Sequence, residues 1–295
     1  MHWTTWLAVS GLTASIGFAA AGIAVVEHAP APPAAQPVPP LNSPPISAAS
    51  GPSCDKPGAM GLSRIIEIST AGGPGFGAEE HFKGPDLLHD KEVVLTFDDG
   101  PRVGSTEPIL KALDDQCLKA TFFQIGQNAM AHSDLTRAVI VAGMTVGTHT
   151  WSHRNLAGLT YNKALEQIER GISAVTTAAD GPIAPFFRFP ELQHTQQLVD
   201  YLGRRNIATI SADIDSRDFT MHTPAPVVES VISQLQQRGK GIVLLHDLHK
   251  NTAEAVPELL RQLKAGGYKI VHIVPKDALT TLAKYDNIVR HRKSP

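Results

Sequence analysis

From Glu92 onward, short apolar runs alternate with stretches in which apolar residues recur every three or four positions. The runs EVVLTF (92–97), ATFFQI (120–125), MTVGTH (144–149), PFFRF (185–189), NIATISA (206–212), GIVLLH (241–246) and KIVHIV (269–274) have the length and side-chain content of strands. Most are apolar at successive positions rather than alternating, as expected of strands covered on both faces. Between them, Leu165, Ile168, Ile172 and Val175 form one helical stripe, with Glu166, Glu169 and Arg170 facing away. Val227, Val228, Val231, Ile232 and Leu235 form another, entered through Pro224 and Pro226, which a helix start accepts. Strand–helix alternation repeated about seven times predicts an α/β fold, either a parallel barrel or a doubly wound sheet. Residues 51–91 are Gly-rich and irregular, with one short strand expected at RIIEIS (64–69). AGGPGFG (71–77) reads as a flexible turn, since it lacks the Lys-Ser/Thr ending of a phosphate loop.

The N-terminus follows a different pattern. Residues 6–26, WLAVSGLTASIGFAAAGIAVV, are uncharged and close to the ~20 residues that span a bilayer. The preceding MHWTT has no Lys or Arg, so a cleaved signal and a retained anchor both stay open. Residues 29–50 are rich in Pro and should act as a semi-rigid spacer that forms neither helix nor ladder. The expected organisation is a signal peptide or membrane anchor at 1–28, a Pro/Ala-rich linker at 29–55, one domain at 56–285 and a polar tail at 286–295. Export to the periplasm, or anchoring that faces outside the cytoplasm, follows from that order.

Composition narrows the function. Of 295 residues, 42% are hydrophobic, enough for one sizeable core, and the formal net charge is −2. No basic run stands out before HRKSP at the end, so nucleic acid is not an expected partner. Cys54 and Cys117 do not have the spacing of a metal or redox pair. They are read as two small apolar residues, with a disulfide open only in an oxidising compartment.

The chemistry gathers where apolar runs end. VVLTF ends in Asp98-Asp99, MTVG is followed by His149, PFF ends in Arg188 and GIVLL ends in His246-Asp247. NIATISA is followed by Asp213, Asp215 and Asp218. In parallel α/β folds the C-terminal strand edge is where sites are built. HTWSH spaces His149 and His153 at i and i+4, which a helix would place on one face. Two imidazoles and one carboxylate are a common set for a catalytic Zn²⁺, and one of the two aspartates could complete it. The other could then serve as a general base. His246 is a candidate general acid, Asp218 a group to hold it charged, and Arg188 an anchor for the base carboxylate.

TFDDGP, HTWSH, RFP, DSRDF and LLHD, in this order, resemble the signature motifs of NodB-type polysaccharide deacetylases, carbohydrate esterase family 4. The resemblance implies a distorted parallel (β/α) barrel with about seven strands and one divalent metal, usually zinc, with cobalt or manganese compatible. It implies hydrolysis of an N-acetyl group, a linear amide, on a GlcNAc-containing glycan: peptidoglycan, exopolysaccharide or chitooligosaccharide. By the same resemblance Asp98 is the base, Asp99, His149 and His153 hold the metal, and His246 is the acid. Arg188 and Asp218 support them, Asp247 is structural, and Leu244 and Leu245 line a slot for the acetyl methyl. Pro190 leads the segment whose backbone N–H would face the oxyanion, and Phe219 stands where the family often has Trp. The family usually follows Arg-x-Pro with an aromatic residue and Gly, whereas this chain has Glu191-Leu192. That departure bears on the substrate groove. An O-acetyl esterase acting on xylan would use the same residues, and a non-catalytic glycan-binding relative would retain the fold.

Overall fold

The computed structural model describes residues 47–78, 82 and 84–291. The expected N-terminal segment at 1–28, most of the linker and residues 292–295 lie outside the described residues. Strands are β1 Ser47–Ser50, β2 Arg64–Ile68, β3 Gly75–Phe76, β4 Glu92–Asp98, β5 Thr121–Gln124, β6 Thr145–Thr148, β7 Phe186–Phe187, β8 Ala208–Ile210, β9 Ile214–Asp215, β10 Gly241–His246 and β11 Lys269–Pro275. Helices are α1 Thr106–Asp115, α2 Gly126–Ala131, α3 Ser133–Val141, α4 Tyr161–Ala179, α5 Gln196–Arg204, α6 Pro224–Arg238, α7 Lys250–Ala265 and α8 Ala283–His291. Among the described residues no helix is long and apolar enough to cross a membrane.

The sheet curls into a distorted parallel barrel. β4 pairs in parallel with β10 along most of its length and with β5 near its end, and the order continues through β6, β7 and β8. The chain then leaves β7 and joins β10 as β9, so one stretch, 208–215, spans both sides of a break in the ladder. Every strand named in the sequence reading exists. The two-residue β3 and β9 were not anticipated; β3 converts part of the expected AGGPGFG turn into a parallel pair with β8.

Strand alternation divides each inner strand between two cores. On β4, Val93, Leu95 and Phe97 pack outward with the helices, alongside Val243 and Leu245 of β10. Val94 and Ile242 point into the barrel with Phe123, Phe186, Ile210 and Ile273. Asp98 follows Val94 on the inward register, so the floor is apolar and the C-terminal rim polar.

Three boundary expectations need correction. The linker expected at 29–55 does form a ladder at its end, where β1 pairs antiparallel with β2. No proline stands between Pro45 and Pro52, so Ser47–Ser50 keeps its backbone N–H donors. Cys54 and Cys117 are joined in a disulfide, not held as separate apolar residues, because the chain after β1 returns to the turn below β5. The tail expected from 286 is instead helical to His291, since α8 buries Tyr285 and Val289 on one face.

Candidate active site

Asp98 ends β4, and at Asp99 the backbone turns out of the strand. Asp98 continues the ladder opposite His246 of β10. Asp99 adopts φ 77°, a left-handed conformation that is strained for a non-glycine residue. The turn is held on several sides: Asp99 N–H donates to the Phe123 carbonyl at 3.1 Å. Asn128 Nδ2 donates to the Asp99 carbonyl at 2.7 Å. Gly100 N–H donates to Asp247 Oδ1 at 2.9 Å. A Cβ on Gly100 would stand 2.0 Å from the Asp247 carboxylate, so glycine is required there. Burial pushes the Asp247 carboxyl up to about 7, and its contacts are with backbone and Thr106 Oγ1, consistent with a structural part.

HTWSH does not open a helix, contrary to the i, i+4 expectation. Thr150 and His153 both have positive φ, 67° and 54°, and the segment folds as a turn against α4. Trp151 N–H donates to the Gln167 carbonyl at 2.8 Å, and Ser152 N–H to Gln167 Oε1 at 3.1 Å. At Gly171 of α4 an added Cβ would lie 2.5 Å from the Thr150 carbonyl carbon, so the helix has no room for a side chain under this turn. The turn nevertheless brings the two imidazole centroids to 4.9 Å.

Asp99, His149 and His153 each aim one ligand atom into a common space, all within 4.8 Å of one another. Asp99 Oδ1 lies 3.6 Å from His149 Nε2 and 3.5 Å from His153 Nε2. These separations are too long for hydrogen bonds and suit ligands that share one cation. His149 Nδ1 donates to the Arg188 carbonyl at 2.8 Å, which leaves the Nε2 lone pair free. Burial, then the charge of His153, holds that imidazole well below its ordinary range and therefore neutral. Asp99 Oδ1 is buried without a hydrogen-bond partner. An orphaned carboxylate oxygen between two imidazoles fits a divalent cation.

Arg188 is fully buried and donates to four acceptors. Its Nη1 reaches Asp98 Oδ1 and Thr96 Oγ1, both at 2.7 Å. Its Nε and Nη2 reach the carbonyls of Ile210 and Ser211 at 3.0 and 2.9 Å, where the ladder breaks between β8 and β9. The guanidinium thus repairs the barrel and anchors Asp98 together. Burial pushes the Asp98 carboxyl up to about 6, against the opposing Arg188 charge.

His246 faces Asp98 across the β4–β10 pair. Its Nδ1 contacts Asp218 Oδ1 at 2.6 Å, while its backbone N–H and Thr252 Oγ1 both donate to Asp218 Oδ2. Burial pulls the imidazole down, but the Asp218 hydrogen bond and charge outweigh it and raise it to about 9. His246 is therefore a cation at neutral pH with Nε2 left for the site.

Leu244 lies on the inward register with His246, and Phe219 is exposed with its ring edge-on to His246 at 5.7 Å. Pro190 is buried and starts a short 3-10 turn on the rim. Leu245 is not brought to the site: period-two alternation turns it outward into the helix-facing core. Glu191 is tied to Asn155, which follows the HTWSH turn, at 2.7 Å. Thr96, Asn128, Gln167 and Thr252 support the site but were not foreseen. Of these, only Thr96 carried a signal, its inward register with Asp98.

A cation-ready triad between an anchored carboxylate and a charged imidazole, on the C-terminal rim of a parallel barrel, is an arrangement suited to hydrolysis. The family model described as polysaccharide deacetylase matches residues 87–210, which includes the triad, Asp98 and Arg188 but stops short of Asp218 and His246. A Listeria monocytogenes peptidoglycan-N-acetylglucosamine deacetylase is 30% identical over 189 residues, 64% of this chain and 39% of that protein. The chain therefore spans about two fifths of that relative's length. An Azorhizobium caulinodans chitooligosaccharide deacetylase is 28% identical over 54% of this chain and 75% of its own. A solved Bdellovibrio bacteriovorus peptidoglycan deacetylase superposes with a TM-score of 0.67 at 26% identity, covering 80% of this chain and 66% of that one. Residues 87–210 carry a polysaccharide deacetylase domain, and the fold is shared with solved members of carbohydrate esterase family 4.

Proposed function

We propose that this protein is a divalent-metal-dependent N-deacetylase acting on GlcNAc-containing glycan, with zinc the cation that the donor set suits best. The observation that carries the reading is the convergence of Asp99, His149 and His153 between Asp98 and His246. Held by that triad, a cation would supply Lewis-acid activation of water and of the acetamide carbonyl. Asp98, fixed by Arg188, takes a proton from the attacking water. His246, kept cationic by Asp218, gives its proton to the departing amine as the C–N bond breaks, leaving acetate and a free amine. Leu244 and Phe219 offer apolar surface to the acetyl methyl and the sugar ring, and the segment after Pro190 is the candidate oxyanion donor.

Residues 1–28 are read as the export or anchoring segment, with the mature domain outside the cytoplasm. The Cys54–Cys117 bridge supports an oxidising compartment. Acetate release should be measured on N-acetylated oligosaccharides and acetylated xylan, with and without chelator. Asp98→Asn should abolish turnover and keep the metal, whereas Asp99→Ala should lose both. Release that survives metal removal and Asp98→Asn would overturn the reading.

A further inference from the structure

Past Arg188 the chain is held in a conformation that its residues disfavour. Glu191 has φ 55° and ψ 15°, and Leu192 follows at φ 57°, two successive non-glycine residues in the left-handed region. The N–H groups of Leu192 and Gln193 donate back to the Phe189 and Pro190 carbonyls at 3.0 and 3.1 Å. Among the described residues no carbonyl accepts from the Glu191 N–H, so it is the donor of this segment left for an oxyanion. The Glu191 side chain reaches the neighbouring turn, where its Oε2 accepts from Asn155 Nδ2 at 2.7 Å, two residues after His153. Asn155 Oδ1 accepts the Ala157 N–H at 3.1 Å and caps the 3-10 turn Leu156–Gly158, which orients the amide so that Nδ2 is left to donate to Glu191. The two turns are unequally supported. Besides Glu191, the metal-ligand turn has Gln167 of α4 and the Thr150 hydroxyl, which accepts the His153 N–H at 3.0 Å. The strained turn has its own two bonds and the His194 ring, whose Nδ1 lies 3.3 Å from the Leu192 carbonyl oxygen. Loss of the link between them would therefore show first in residues 190–192.

Resting on the N-deacetylase reading, we propose that Glu191 is a positioning residue: its carboxylate, bonded to Asn155, latches the strained turn to the metal-ligand turn and sets where the Glu191 N–H meets the acetyl oxygen. A donor serves an oxyanion only if it already stands within hydrogen-bond reach of the place where charge develops. Left-handed residues relax when nothing over-determines them, and a leucine at φ 57° is driven to do so where glycine would not be. The charge-assisted bond to a capped, oriented amide supplies the restraint. It acts on the transition state rather than on substrate capture, so its loss belongs in kcat.

The test measures kcat and KM for acetate release from N-acetylated oligosaccharides, with metal content on the same samples. Glu191→Ala should lower kcat about tenfold, short of the roughly hundredfold that outright loss of such a donor costs, with KM and metal content held. Glu191→Gln, which keeps an acceptor for Asn155, should recover most of that loss. Asn155→Ser keeps a cap for Ala157 and removes the Nδ2 donor, so it should copy Glu191→Ala, and the double variant should lose no more than either single one. On a Leu192→Gly background, where φ 57° carries no strain, Glu191→Ala should cost under about threefold. Additive losses, a loss carried in KM, a cost undiminished beside Leu192→Gly, or no loss at all overturns the latch and leaves the deacetylase reading intact. Absence of acetate release from every glycan counts against that reading instead. Amide hydrogen exchange then reads the latch without turnover: Leu192 and Gln193 N–H should exchange about tenfold faster in Glu191→Ala than in Glu191→Gln, with Trp151 and Ser152 unmoved, and equal rates overturn it.

Discussion

Asp218→Asn isolates the acid half of the site. In the native protein Asp218 accepts from His246 Nδ1 at 2.6 Å, and the imidazole is raised to about 9 against the pull of burial. Asparagine keeps an acceptor for the backbone N–H and Thr252 but removes the charge that outweighs burial, so the imidazole should fall to its ordinary 6.5 or below. At pH 8 the protonated fraction would drop from about 90% to about 3%, a loss of ~30-fold in acid form. At pH 6 the native imidazole is fully charged and the variant's is far more protonated than at pH 8, so the loss should be much smaller there. The assay is kcat/KM for acetate release between pH 5.5 and 9.5, with metal content measured on the same samples. The alkaline limb should move to lower pH while metal occupancy holds. Equal loss at pH 6 and pH 8, or an unmoved alkaline limb, would refute the proposed relation between these residues.

Two further outcomes follow from the packing. Gly171→Ala should lower metal affinity more than it lowers thermal stability, because its Cβ would displace the Thr150 carbonyl and with it the His149–His153 spacing; calorimetric metal titration against melting temperature decides this. His272 is buried in the barrel, and since Thr145 Oγ1 donates to the Ile273 carbonyl, the Nε2–H of a neutral imidazole must donate to Thr145. Burial holds it down to about 4, so its contribution to stability is full above pH 6.5 and is lost as pH falls through 4, up to about 3 kcal/mol. His272→Leu should flatten the difference in urea-unfolding free energy between pH 7.5 and 4.5, and an unchanged difference would refute the assignment.

Much of this was legible because burial on both faces writes itself as continuous apolar sequence, and β4, β5, β6, β10 and β11 are such strands. The polar residues at their ends were legible for the same reason, since an ionisable group ending an apolar run must have a partner. What stayed hidden depended on tertiary contact. Nothing local in HTWSH announces a turn; the absence of a side chain at Gly171 makes room for one. Leu244 and Leu245 look alike in sequence, and only the inward register of His246 separates them. Two cysteines 63 residues apart carry no signal of pairing until the chain path is known. Ser47–Ser50 has no apolar pattern at all and becomes a strand because β2 offers an open edge.

The disulfide and β1 also fix where the chain ahead of the barrel joins it. Cys117 sits just before β5, and β1 runs beside β2, whose Arg64 binds Glu92 at the start of β4. The disulfide lies toward the N-terminal ends of the parallel strands, whereas β1 runs the length of β2 and its first residue, Ser47, stands opposite Glu67 toward their C-terminal ends. Tension on the chain ahead of Ser47 would enter beside the C-terminal end of β2, load the β1 ladder and then stop at a covalent bond.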